Sequence, residues 1–295
     1  MIPYVAISDR LVLFPHKNLS YTEVWDIEDN QSVGVLEGLA SMVIGSAGIN
    51  NHGTMAVTLT AHDDVNEDED LYVKIWNLGT MQCVANLRSY LDAFSLLGSD
   101  RLLLGAQDGP IKVWDIGGSA PVALMDLEGH SGYVFSISSS EILKIALSGS
   151  TDRNVRLWDL RTGQCVRVME GHTNDVNSVS MDSACQTAVS GSFDNSVKLW
   201  DLGSGRCINT YLHGQVVRNV MMHESGGSFI AVGSRLSIKA WTTAPGSERP
   251  ILKADFESYC DDDFEVPGAA SRDLSKVAIC YMRADGAGLG VKVWK

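Results

Sequence analysis

The chain has 295 residues, 45% of them hydrophobic, and a formal net charge of −13 from 23 basic and 36 acidic side chains. That much apolar sequence can bury a large core, whereas the acidic balance excludes nucleic acid and anionic membrane as direct partners, because both require clustered Lys and Arg. The opening MIPYVAIS lacks the basic and apolar regions of a secretory signal, and no apolar run approaches the roughly 18 residues of a membrane span, so an intracellular protein, cytoplasmic or nuclear, is expected.

Tryptophan punctuates the chain. Trp25, Trp76, Trp114, Trp158, Trp200, Trp241 and Trp294 each close a short strand-like run, at gaps of 51, 38, 44, 42, 41 and 53 residues. Five are followed by Asp or Asn: Asp26, Asn77, Asp115, Asp159 and Asp201. A repeat of about 40–45 residues made of short strands has the period of a β-propeller blade. The expected architecture is all-β, a single domain over 1–295 forming a seven-bladed propeller of four-stranded antiparallel blades. Its blades fall at about 1–37, 38–88, 89–128, 129–170, 171–212, 213–255 and 256–295.

In chain order, blade 1 supplies strands a to d at 2–7, 10–14, 21–27 and 31–36. Blade 2 carries the acidic insertion AHDDVNEDED (61–70) between strands b and c, and blade 3 keeps Asp108 and Trp114 but has Leu104 where better repeats have Ser. Blades 4 and 5 are the best formed (129–165 and 171–207), and in blade 5 the strands are placed at 175–180, 186–191, 195–202 and 206–211. Alternating apolar and small polar residues give these runs two faces, and Thr162-Gly163 and Ser204-Gly205 mark the c–d turns. Blade 6 offers LHGQVVRNVMM and ends KAWTT, and a second acidic insertion, DFESYCDDDFE (255–265), precedes blade 7. The third strand of blade 7 falls at 289–294, which makes 27 strands and leaves the last blade incomplete. Blades 1, 2 and 7 keep little beyond the Trp, so packing between sheets must hold them.

The GH…SGS-x-D…LWDL pattern of 129–165 and 171–207 resembles the WD40 repeat, strongly over 100–211 and loosely elsewhere. The resemblance implies a buried hydrogen-bonded network of His130, Ser148, Asp152 and Trp158 in blade 4, and of His172, Ser190, Asp194 and Trp200 in blade 5. His to Trp is 28 residues in both sets, and Ser to Asp is 4 in both. Ser, His and Asp together suggest a catalytic triad, but a set repeated at fixed offsets inside strands fits a structural device, and no oxyanion site accompanies it. No catalytic, cofactor-binding or metal-binding residue is assigned, and no cofactor is expected. Asp64, Asn66, Asp68 and Asp70 alternate like calcium ligands, yet the turn Gly and late Glu of such a loop are missing. Cys83, Cys165 and Cys207 each follow a repeat Trp by seven residues, and no CxxC pair exists, so reduced, buried structural thiols are expected.

In propellers of this kind the d–a and b–c loops share one rim, the top. The resemblance places Tyr133, Phe135 and Thr151 there from blade 4, Asp175, Asn177 and Phe193 from blade 5, and Arg218 from blade 6. Both acidic insertions project from the same rim, bringing Asp64, Asp68, Asp261, Asp262 and Asp263 to one sector able to steer a basic segment. The functional expectation is a non-catalytic interaction scaffold that binds a protein or basic peptide on its top face, as a monomeric domain of a larger complex or longer chain. An alternative is a substrate receptor of a cullin-type ubiquitin ligase through the WDxR-like segment 146–161, with Arg161 central. A propeller enzyme is a third reading, opposed by innermost strands that read as small and apolar (135–138 and 176–181).

Overall fold

The computed structural model describes residues 6–7, 10–15, 21–37, 44–50, 52–61, 71–89, 93–106, 109–118, 120–234, 237–243, 252–255, 268–270, 277–282 and 289–294. Among them are 27 β-strands and no α-helix. The strands form seven antiparallel meanders, six of four strands and one of three (Gly268–Ala270, Val277–Met282 and Leu289–Trp294). In sheet 5 the strands are Val176–Met181, Thr187–Ser192, Ser196–Asp201 and Arg206–Leu212, within about a residue of the sequence-based placement.

The first strand of each sheet lies against the first strand of the next. They run from Ala6–Ile7 through Ile44–Ile49, Phe94–Leu97, Val134–Ser140, Val176–Met181 and Val217–Met222 to Gly268–Ala270, which touches Ala6–Ile7 again. The sheets therefore radiate from a common axis as in a β-propeller.

The core lies between sheets. Trp200 packs with Leu147 and Val155 of sheet 4, and Trp241 with Val189, Val197 and Tyr211 of sheet 5. Trp158 and Trp76 likewise join clusters with the preceding sheets, through Leu103 and Val113 and through Leu13 and Val24. The recurring Trp is thus an inter-sheet wedge. Burying an indole removes ~150–250 Å² from water, an upper bound of ~4–6 kcal/mol per copy. The spacing of these four Trp residues follows because each of the four seams takes one wedge.

At that Trp the ladder between third and fourth strands slips in five sheets, leaving one residue of the outer strand unmatched. The extra residues are Val33, Val84, Leu124, Val166 and Ile208. All five are exposed, at 40–53%. A bulge bends a free edge away from flat pairing, and these edges are therefore poor templates for a foreign strand. The residue opposite Trp76, Trp158 and Trp200 is Cys83, Cys165 and Cys207. The expectation that these thiols are buried is corrected: Cys83 and Cys207 are exposed and Cys165 is half-buried, because each sits on an outermost strand at the bulge. All three are free thiols.

Candidate functional site

In sheet 5 the chain reverses after Asp194 with Asn195 at φ 67°, and in sheet 4 after Asp152 with Arg153 at φ 69°. Each carboxylate closes its own turn, Asp152 Oδ1 accepting from Asn154 N and Asp194 Oδ1 from Ser196 N, both at 3.0 Å. The other oxygen meets a histidine: His130 Nδ1 lies 2.7 Å from Asp152 Oδ2, and His172 Nδ1 2.7 Å from Asp194 Oδ2. On the far side of each ring Nε2 lies 2.7 Å from Ser148 Oγ or Ser190 Oγ. The same hydroxyls accept from Trp158 Nε1 at 2.8 Å and Trp200 Nε1 at 2.7 Å. One proton assignment satisfies the row: Nδ1–H donates to the carboxylate, the serine O–H donates to Nε2, and the indole N–H donates to the serine. The second Ser of each SGS ties the neighbouring loop, Ser150 Oγ donating to Gly132 O and Ser192 Oγ to Asn174 O, both at 3.2 Å.

The two sets are sealed. The His130 and His172 side chains are 0% exposed and Asp152 and Asp194 only 5% and 9%. Ser148 and Ser190 are fully buried, and each hydroxyl is committed on both sides, so neither can serve as a nucleophile. Burial works to raise the Asp152 carboxyl, but hydrogen bonds from His130 and from Asn154 and Ser131 backbone N–H groups outweigh it and bring it down to about 2. Asp194 is likewise pulled well below the ordinary range, burial being overcome by His172, Ser196 and Thr173.

Strand register extends the comparison to the weaker repeats. The network serine stands two residues beyond the partner of Trp on the second strand, a place taken by Thr58 in sheet 2, Leu104 in sheet 3 and Ala231 in sheet 6. Thr58 Oγ1 accepts from Trp76 Nε1 at 2.8 Å, so blade 2 keeps more than the Trp read from its sequence. The spacing of Thr58 from Trp76, 18 residues against 10 in the strong repeats, hid this: the acidic insertion separates them. Leu104 and Ala231 offer no acceptor, and Trp114 Nε1 and Trp241 Nε1 are buried without a hydrogen bond. Aromatic packing holds Trp241 instead, with Phe229 stacked at 5.3 Å and Tyr211 at 5.9 Å between ring centroids. Ala231→Ser is therefore expected to stabilise the protein by about 1 kcal/mol by supplying the missing acceptor. Denaturant midpoints for wild type and variant measure it; an unchanged or lowered midpoint contradicts the register assignment.

The Asp or Asn after each Trp has a separate task. Asp26, Asn77, Asp115, Asp159 and Asp201 each accept through one side-chain oxygen from backbone N–H groups two or three residues on, closing the turn into the outer strand. At Arg161 the turn gains a two-bond ion pair, Nε and Nη2 each 3.0 Å from the Asp159 carboxylate. Burial of the guanidinium is slight, its side chain being 67% exposed.

Around the axis lies a cavity of about 480 Å³. Its wall is richer in hydroxyls than the sequence suggested: the innermost strands are small but not apolar. Ser136, Ser178 and Ser180 accept from the backbone N–H groups of Val179, Val220 and Met222 at 3.0–3.1 Å, each linking one sheet to the next. Phe135, Asn177 and Arg218, at matching places on three successive first strands, also line it. Asn177 donates to Val217 O at 2.9 Å. Arg218 lies over the ring of Phe193, its guanidinium carbon 5.1 Å from the centroid. Tyr133 and Phe135 are 41% and 38% exposed. Thr151 and Phe193, a pair related by the repeat, donate their N–H groups to Tyr133 O and Asp175 O at 2.9 and 3.0 Å. Tyr133, Thr151, Asp175 and Phe193 do not line the cavity itself. Asp64, Asp68, Asp261, Asp262 and Asp263 lie outside the described residues.

Antiparallel sheets that radiate from a common axis, a Trp wedged at four of the described seams and the buried Ser–His–Asp relays of sheets 4 and 5 are the features of a β-propeller with WD40-like repeats. Residues 122–159 and 163–201 match the WD40 family model (WD domain, G-beta repeat), and the chain carries WD40 repeats. Similar proteins include Mitochondrial division protein 1 of Eremothecium gossypii, 30% identical over 109 residues, and that of Kluyveromyces lactis, 32% identical over 116, each covering 34% of this chain. A CCR4-associated factor 4 homolog of Candida glabrata is 28% identical over 146 residues, 40% of this chain. The matched segments span 15%, 16% and 25% of those relatives' own lengths.

Proposed function

We propose that residues 1–295 form one seven-bladed propeller that acts as a non-catalytic, intracellular interaction scaffold, binding a protein segment at the top mouth of the channel. The observation that carries this is the mouth itself. Phe135 and Arg218 line it, Tyr133 two residues before Phe135 is exposed, and Phe193 carries Arg218 stacked on its ring. Exposed aromatics and Arg are the residue types that dominate interface energetics, and nothing in the packing of the sheets requires them to face solvent. Ser148 and Ser190 in the sealed relays, and Ser136, Ser178 and Ser180 along the channel seams, are instead committed to hydrogen bonds. The name of one relative, a CCR4-associated factor, describes a protein that associates with another, which agrees with an adaptor role here.

The acidic insertions enter this reading as steering elements for a partner with a basic segment. The test is a kinetic binding screen against peptides at low and then physiological salt. Phe193→Ala and Tyr133→Ala should each raise the off-rate, costing about 1–2 kcal/mol. Asp261→Asn, Asp262→Asn and Asp263→Asn combined should lower the on-rate and flatten its salt dependence. A partner that binds both sets of variants as it binds the wild type uses the sides or bottom of the ring, and the top-face reading is then lost.

A further inference from the structure

We propose that the channel mouth takes an acidic anchor: the carboxylate of a Glu or Asp side chain in a partner's peptide, seated on Arg218, with an adjoining apolar side chain against Phe135. This rests on the top-face reading and goes beyond it: the partner's basic segment would meet the acidic insertions while a separate acidic residue seats in the channel mouth.

Arg218 is the only charged side chain among the described residues lining the cavity. Among the polar residues around it, Asn177 donates to Val217 O, Ser136 and Ser178 accept from backbone N–H groups, and Ser95 and Ser139 bond each other. The guanidinium is the one cationic group among the described residues of the lining. Stacking 5.1 Å from the Phe193 centroid holds its plane against a ring, which reduces the rotamer freedom lost on binding. A guanidinium has five N–H donors in a rigid fork matched to carboxylate geometry, so it can serve more than one acceptor at once. The aromatic ring of Phe135 lines the same mouth, 38% exposed, and suits an apolar neighbour of the anchoring residue. The chain's charge of −13 disfavours acidic peptides at long range, which makes the preference diagnostic: only a specific local contact can reverse that bias.

The experiment uses the whole chain and short fluorescein-labelled peptide pools, degenerate except for a fixed central Glu, Gln, Lys or phosphoserine, read by anisotropy at physiological salt. The Glu pool is expected to bind about tenfold tighter than the Gln pool and tighter than the Lys and phosphoserine pools. Arg218→Gln should bring the Glu-to-Gln ratio to about one without moving the melting temperature, and Arg218→Lys should keep part of the preference. A Lys or phosphoserine pool that binds tightest, or a Glu preference that survives Arg218→Gln, overturns the acidic anchor. Phe135→Ala and Tyr133→Ala separate the two levels. If they weaken every pool alike while Glu and Gln bind equally, the anchor fails and the top-face reading stands. If they change no pool, the top-face reading itself fails.

Discussion

Replacing Asp194 by Ala should lower the unfolding free energy by about 2–4 kcal/mol, the cost of leaving several buried donors unpaired. Its carboxylate accepts from His172 Nδ1 at 2.7 Å, Ser196 Oγ at 2.6 Å, Thr173 N at 3.1 Å and Ser196 N at 3.0 Å. With the carboxylate gone, the imidazole loses the group that fixes its orientation, and with it the alignment of Ser190 beneath Trp200. The damage thus reaches the wedge between sheets 4 and 5. Asp201→Ala is the matched control, since that carboxylate serves only an exposed turn through Ser204. Urea melts of the two variants decide the matter. Equal losses would mean that the relay contributes no more than a surface turn.

Acid should reveal the same relays as a pH-dependent loss of stability that an amide removes. Asp152 is held at about 2 in the folded state, against ~3.9 in an unfolded chain. A carboxyl lowered by folding contributes stability that is fully present above its unfolded pKa. That contribution shrinks as pH falls from the unfolded value through the folded one. For Asp152 the full contribution is about 2 kcal/mol, lost mainly between pH ~4 and ~2. Asp194, held below the ordinary range by the same kind of partners, adds to the slope in the same direction. Asp26, Asp159 and Asp201 are lowered too, so the informative quantity is the difference between wild type and Asp152→Asn. The variant should start less stable at neutral pH and lose less on acidification, so that the two curves converge near pH ~2–3. Parallel curves would show that Asp152 does not titrate against folding.

Much of this architecture was legible from residue types and spacing. A Trp every 40 or so residues, flanked by alternating apolar runs, located the strands of sheet 5 to within about a residue, because period-two burial and turn glycines are local signals. The Ser, His and Asp of the two relays could be picked out through the resemblance of both repeats to the WD40 pattern, with which their matching offsets agree. What spacing missed was any partner separated by an insertion, as with Thr58 and Trp76, and any property set by a strand's place in the sheet. Cys83 and Cys207 look like core residues by type, yet they stand exposed because they ride on outermost strands at a bulge. The serines of the first strands look like small filler, and only the approach of the next sheet gives them backbone N–H groups to receive.

The sequence by itself therefore determined the repeat, the strand pattern and the identity of the relay residues, since all three are encoded within single sheets by contacts near in the chain. The tertiary structure alone decided which seam each buried Trp closes, how the serines stitch neighbouring sheets, and that Arg218 stacks on Phe193 beside a channel. Those features join residues of different sheets, about 25 to 45 positions apart, and no periodicity within one repeat specifies how two repeats meet.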